Sequence, residues 1–230
     1  MPTPSDFRAI DTPAHHRSVV AESLVPCQVP TPKKLRVATD CYEQHFVKFP
    51  FVATLHSYSE YLYAGLLEGD PKVGSFVPQP FRLRVGRRKY IPDFYVVSGQ
   101  HRIVIELKAR GEFDRALRVP LEAFFDFYGM KFSIISNDTA LTREREALTW
   151  LDITRRLASA GDIDTGALEY KLYDQIQMGG NIEFGDIIDE GDRAGSYTKE
   201  IALLRLLHRG KLQADLTTPL QYDTVLRSCT

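Results

Sequence analysis

Glu106 and Lys108 stand two residues apart in the apolar stretch RIVIELKA at 102–109. Alternate side chains of a β-strand leave opposite faces, so Val104, Glu106 and Lys108 share one face while Ile105 and Leu107 take the other. Ions lose hydration on such a strand unless they are paired or bound to a metal. Thirteen residues earlier Asp93 follows Pro92, and a short antiparallel hairpin can set its carboxylate beside Glu106. Two adjacent carboxylates repel unless a cation joins them. The chemistry this suits is that of Mg²⁺, with Mn²⁺ as substitute: a hard ion held by carboxylate, carbonyl and water oxygens and completed by a phosphate. Such an ion acidifies a bound water and neutralises phosphoryl charge, while Lys108 orients that water and stabilises the same charge. Glu60, on a helix ahead of the strands, would bind a second metal or hold the hydrated first one. The expected catalytic set is therefore Glu60, Asp93, Glu106 and Lys108, with Glu60, Asp93, Glu106 and the backbone carbonyl of Leu107 as metal ligands.

Each residue also has a structural reading. Ser57-Tyr58-Ser59-Glu60 fits a capping box, in which Glu60 reaches back to the helix start. Asp93 after proline suits a turn or strand edge, and Glu106 with Lys108 suits a solvated cross-strand charge set. What favours catalysis is the joint order: a helix glutamate, then Pro-Asp on a strand, then Glu-x-Lys on an apolar strand. That is the PD-(D/E)xK nuclease pattern. Rival chemistries lack their residues. The histidines show no H-x-x-x-H spacing, the three cysteines form no C-x-x-C pair, and G-x-S-x-G, G-x-x-x-x-G-K-[ST] and G-x-G-x-x-G are all missing from the sequence. Any ATP-driven step must come from a partner.

The elements that must position these residues follow from periodicity. A helix is predicted over 57–69, strands over 81–85, 89–97 and 102–109 as an antiparallel meander, a helix interrupted or bent near Pro120 over 112–129, and a buried strand over 131–136. The order is α, β, β, β, α, β, and the PD-(D/E)xK pattern then implies an α/β chain with a restriction-endonuclease-like αβββαβ core and a mixed central sheet. A further helix is expected over 142–161, and Gly161-Asp162-Ile163-Asp164 marks a boundary. Beyond it, helices near 166–178 and 196–209, the alternating run at 211–216 and a strand at 222–227 suggest a C-terminal winged-helix-like domain. Residues 1–34, with six prolines, read as an irregular N-terminal arm; 35–161 form the nuclease domain and 162–230 the winged-helix-like one.

A net charge of −1 over 230 residues gives no global sign of a polyanionic partner, so any DNA contact must be local. The cluster Arg82, Arg84, Arg87, Arg88 and Lys89 could supply it, as could Arg115 and Arg118, although solvated faces would show the same charges. The expected DNA-contact residues are Gln79, Arg84, Arg87, Arg88, Lys89 and Arg110. In the C-terminal part Lys199, Arg205, His208, Arg209 and Lys211 could face DNA, but Asp186, Asp189, Glu190 and Asp192 precede them and leave a protein-binding role equally open. No apolar run reaches the roughly 18 to 20 residues of a membrane span, and the start MPTPSDFRAIDTPAHH lacks a cationic region followed by a hydrophobic stretch. A cytoplasmic protein without membrane contact is expected.

The stretches SYSEYLYAGLLEGDPKVGSFVPQP, RKYIPDFYVV and RIVIELKAR resemble the catalytic domain of TnsA-like endonucleases, subunits of heteromeric bacterial transposases. The likeness covers about 55–136. Beyond the generic nuclease pattern it rests on Glu60, the turn Asp70-Pro71-Lys72-Val73 and the pair Gln79-Pro80. The resemblance implies Mg²⁺-dependent cleavage at the 5′ ends of a transposon in double-stranded DNA, a separate DDE-type transposase that cuts and joins the 3′ ends, an AAA+ ATPase regulator and a C-terminal winged-helix-like domain. Some members carry glutamine where this chain has Glu106; the acidic form is the more usual one among PD-(D/E)xK nucleases. A stand-alone restriction or repair nuclease of the same fold, and a catalytically silent DNA-bound assembly factor, are the alternatives.

Overall fold

The computed structural model describes residues 18–32 and 40–229. The expected N-terminal arm therefore lies outside the described residues over 1–17 and 33–34. The rest is a mixed α/β chain that divides into two compact units, each built from two stretches of sequence: Met1–Val29 with Val77–Ser136, and Pro30–Phe76 with Asn137–Thr230. Compactness thus cuts the chain along other lines than the linear boundaries at 34 and 161.

The first unit holds the sheet on which Glu106 stands. Strand β7 (Phe94–Ser98) runs antiparallel to β8 (His101–Lys108), and β8 pairs in parallel with β9 (Lys131–Ser136), so the sheet is mixed. Strand β4 (Val73–Pro78) takes the outer place beside β7 and enters this unit at Val77. Between β8 and β9 the chain crosses over through α2 (Arg115–Phe127), which a parallel pair requires. Asp114 caps α2 by accepting from Ala116 N, and Pro120 sits inside it without ending it. Proline lacks the donor that the helix interior uses, yet its ring is buried here with Leu121, Phe124 and Phe125.

A second sheet in this unit corrects the expected meander. The stretch 89–97 is two strands, not one: β6 (Arg88–Tyr90) and β7, separated at Ile91-Pro92. Proline has no N–H for a ladder, so the strand breaks there. Strand β6 instead hairpins with β5 (Leu83–Val85), and β5 pairs with β1 (Val19–Ala21) in the order β1-β5-β6. Part of the expected irregular arm is therefore a strand, and beyond it Cys27 N and Val29 N still donate to Pro80 O and Gln79 O. Two-residue turns close both hairpins, with Gly86 and Gly99 at φ 58° and 57° in the first turn position, where a side chain would be strained. Val19, Phe81, Leu83, Val85, Val104, Leu121, Phe124, Phe125, Met130 and Phe132 form the core between the two sheets and α2.

In the second unit α1 (Tyr58–Gly69) lies against α4 (Glu144–Ala160). Two glycines one turn apart permit the approach: a Cβ on Gly65 would come 2.7 Å from Ala147 O, and one on Gly69 2.2 Å from Trp150 Nε1. A hairpin of β2 (Tyr42–His45) and β3 (Val52–Leu55) precedes α1, and the single turn α3 (Asp138–Leu141) precedes α4. The C-terminal part comprises α5 (Gly166–Gly179), β10 (Ile182–Glu183), α6 (Arg193–His208), β11 (Leu212–Gln213) and β12 (Val225–Ser228). Its three short strands pair in the antiparallel order β10-β12-β11. The helices at 166–178 and 196–209 were legible in the sequence, whereas β10 was not. Trp150, Ile153, Leu157, Leu172, Ile176, Ile201, Leu204 and Leu226 belong to one core that joins α4 to these elements. Among the described residues no helix is long and apolar enough to cross a membrane.

Candidate active site

Asp93, Glu106 and Lys108 come together in the first unit because of a local irregularity in strand pairing. Phe94 faces Ile105 in the β7–β8 register, and Asp93 N also donates to Ile105 O at 3.1 Å. Two residues thus oppose one, the pattern of a β-bulge. The bulge re-aims Asp93, whose Oδ2 accepts from Leu107 N at 2.6 Å, while its own carbonyl accepts from Gln79 N at 2.8 Å. Because the N–H and C=O of one strand residue leave the same edge, the Leu107 carbonyl also faces the Asp93 side.

Glu106 lies at the end of the core face of β8, two residues past the fully buried Val104, and is only 3% exposed. Two donors compensate its burial. Lys108 Nζ stands 2.5 Å from Oε1, and Tyr90 Oη donates to Oε2 at 2.6 Å. Lys108 itself is 40% exposed, with its ammonium 5.9 Å above the Phe113 ring, so the pair has one buried and one open end. Tyr90 is held far above its ordinary value of 10.0 by burial first, then by the charge and hydrogen bond of Glu106, then by the charge of Asp93. Its phenol stays a protonated donor above the usual tyrosine range, and both carboxylates act on it electrostatically.

Tyr90 was missed in the sequence. Its signal was available: it is the inward residue of a strand ending three positions before Asp93. Phe113, which packs on Tyr90 with ring centroids 6.0 Å apart and underlies Lys108, carried no signal of its own.

Glu60 belongs to the second unit. It is buried there at the start of α1, where Oε1 accepts from Ser57 Oγ at 3.0 Å and Oε2 from His56 N at 3.1 Å. Ser57 Oγ in turn accepts from Glu60 N at 3.2 Å. The capping alternative is therefore realised, with the backbone bond falling one residue earlier than in the usual box.

The expected DNA-contact residues separate by environment. Gln79 is buried, adopts φ 41° and accepts from Gln28 Nε2 at 2.7 Å through its side chain. Arg88 pairs with Asp114 at 2.8 Å, and Asp114 is held below the usual carboxylate range by the Ala116 N–H and then by Arg88. Arg84, Arg87 and Lys89 are exposed on the β5–β6 hairpin, and Arg110 is exposed at φ 55° just after β8. In the C-terminal part three of the five cations considered for DNA have internal tasks. Arg205 donates to Gly161 O, Ile163 O and Thr165 Oγ1, His208 meets the buried Glu68 at 2.7 Å, and Arg209 pairs with Glu169. Lys199 and Lys211 are exposed.

The donor set can be compared with the metal it would hold. Among the described residues no group of three or more His, Cys, Asp and Glu side chains is gathered for a metal ion. Asp93, Glu106 and the Leu107 carbonyl offer two carboxylates and a carbonyl, and each carboxylate oxygen retains acceptor capacity beside the bonds described. That set fits Mg²⁺, which takes few protein ligands and keeps its waters. No protein family model matches the sequence, and no curated protein matches it at a significant level.

Proposed function

We propose that this chain is an Mg²⁺-dependent DNA endonuclease of the PD-(D/E)xK type, with Asp93, Glu106 and Lys108 as its reaction centre. The observation that carries the reading is the buried Glu106 carboxylate, held at 2.5 Å by Lys108 and 2.6 Å by Tyr90 beside Asp93. A bound Mg²⁺ would supply Lewis-acid stabilisation of the phosphoryl oxygens and a water acidic enough to attack. Asp93 and Glu106 would hold it, with Asp93 fixed in place by the Leu107 N–H. The half-exposed Lys108 would turn from Glu106 toward the phosphate and place its charge where negative charge grows in the transition state. Tyr90 keeps Glu106 oriented while this happens.

The likeness to TnsA-like endonucleases extends the proposal to a substrate, the 5′ ends of a transposon, and to partners, a DDE-type transposase and an AAA+ ATPase regulator. The order helix, strand, helix, strand, strand with pairing β10-β12-β11 supports a winged-helix-like reading of the C-terminal part. With Arg205, His208 and Arg209 occupied internally, that part suits a protein partner better than DNA.

Strand-specific cleavage of labelled transposon-end DNA with Mg²⁺, with and without the neighbouring transposase, tests the reading. Nicks at the 5′ ends that require both the partner and Glu106 are expected. Partner-free cutting would mean a stand-alone nuclease, and stable complexes without cutting an assembly factor. Wild-type rates in Glu106→Gln or Asp93→Ala would refute the site.

A further inference from the structure

The β5–β6 hairpin has two faces of opposite character. Inward, Leu83 and Val85 enter the core and Tyr90 holds Glu106. Outward, the register sets Arg84 directly across from Lys89, with the exposed Val20 of β1 on the other side of Arg84 and Arg87 at the turn. Residues 81–90 contain five cations and no acid in a chain whose net charge is −1. Flanking cations are answered locally: Arg82 has Glu22 at 3.7 Å and Arg88 has Asp114 at 2.8 Å. Arg84, Arg87 and Lys89 are exposed, and among the described residues no ion pair forms on them. Like charges directly opposite one another work against strand pairing, and a polyanion lying across the row removes that penalty.

We propose that Arg84, Arg87 and Lys89 form a docking face for the sugar–phosphate backbone of duplex DNA, gripping it by charge and not by base identity. The identity of the polyanion rests on the nuclease reading, whereas the face itself rests on the hairpin. One strand links the two sites, because β6 alternates Lys89 outward with Tyr90 inward onto Glu106.

The test uses the full chain, a fluorescein-labelled duplex of random sequence and EDTA to prevent cutting, with anisotropy followed across a NaCl series. Removing two phosphate contacts in Arg84→Ala/Lys89→Ala is expected to weaken binding at every sequence and to flatten the log–log salt slope by about 1.8. Arg155→Ala, whose cation is paired with Asp152 on α4, is expected to bind as wild type. An unchanged melting midpoint in the double variant excludes unfolding as the cause. Wild-type affinity and slope in the double variant would overturn the proposal. So would a wild-type protein that binds no duplex, or equal displacement of the duplex by poly-glutamate, which would make the face a site for an acidic protein. Glu106→Gln, assayed separately for cleavage with Mg²⁺ in place of EDTA, separates the two readings. If it cuts normally while the double variant loses its salt slope, the reaction centre is wrong and the docking face stands.

Discussion

Replacing Tyr90 by phenylalanine removes one oxygen and leaves the ring in place against Phe113. The lost bond is a 2.6 Å donation to a carboxylate that is 3% exposed, so water has little access to the vacated acceptor. A hydrogen bond to a charged group contributes about 1.5–3 kcal/mol. For a chain of this length that corresponds to a fall in melting temperature of about 3–12 °C. The pH dependence carries a second signature. Tyr90 is raised above 10.0 in the folded protein, so the unfolded chain loses this proton first as pH climbs. The stability that the neutral phenol contributes is complete below pH 10.0 and declines above it. In Tyr90→Phe the alkaline decline should be shallower than wild type by up to about 1.4 kcal/mol per pH unit. Urea titrations from neutral pH to beyond the tyrosine range measure both effects. A variant with wild-type stability at neutral pH and an identical alkaline limb would refute the claim that this phenol holds Glu106.

Two further outcomes concern the second unit. Gly69→Ala drives a methyl group into the Trp150 indole, 2.2 Å from Nε1, at the end of a helix packed against α4; overpacking of this kind is expected to cost about 1–3 kcal/mol by chemical denaturation. Glu68→Ala leaves His208 and the Lys48 backbone N–H without their acceptor, and each donor left unsatisfied is expected to cost about 1–3 kcal/mol in the same assay.

The sequence made the site's strands legible because their signals are local. RIVIELKA has the continuous apolar run of a buried strand, and it is β8 almost residue for residue; KFSIIS is β9 without change. What it could not reveal was long-range. Whether 89–97 is one strand or two depends on which partner each half finds, and only the pairing of Tyr90 with Leu83 and of Phe94 with Ile105 decides it. The bulge at Asp93 has no signature apart from Pro92. Strand β1 lay hidden because Val19-Val20-Ala21 sits in proline-rich surroundings and gains its order from β5. The DNA-contact expectations suffered most from this, since exposure is a tertiary property: Gln79 and Arg84 look equally polar in sequence, yet one is buried and the other faces outward.

The contact between Glu106 and Lys108 fits a structural ion pair as well as a reaction centre, and the two roles differ in what a double substitution does. A half-buried pair contributes little net stability, because desolvation of Glu106 offsets its attraction to Lys108. Glu106→Gln alone keeps an acceptor for Tyr90 but leaves the ammonium without its counter-charge; Lys108→Met alone leaves a buried carboxylate with one donor fewer and is the worse of the two. Combined in one chain, the substitutions remove both charges and keep both volumes. Stability should then return to within about 1 kcal/mol of wild type or exceed it, as neutral replacements of buried pairs often do. If the pair exists to hold the fold, such a chain would be a fully competent protein. If it exists for phosphodiester hydrolysis, the chain folds, melts and binds duplex as wild type while Mg²⁺-dependent cleavage disappears. Measured side by side, recovered stability with absent cleavage assigns the pair to chemistry, whereas recovered stability with retained cleavage removes it from the site.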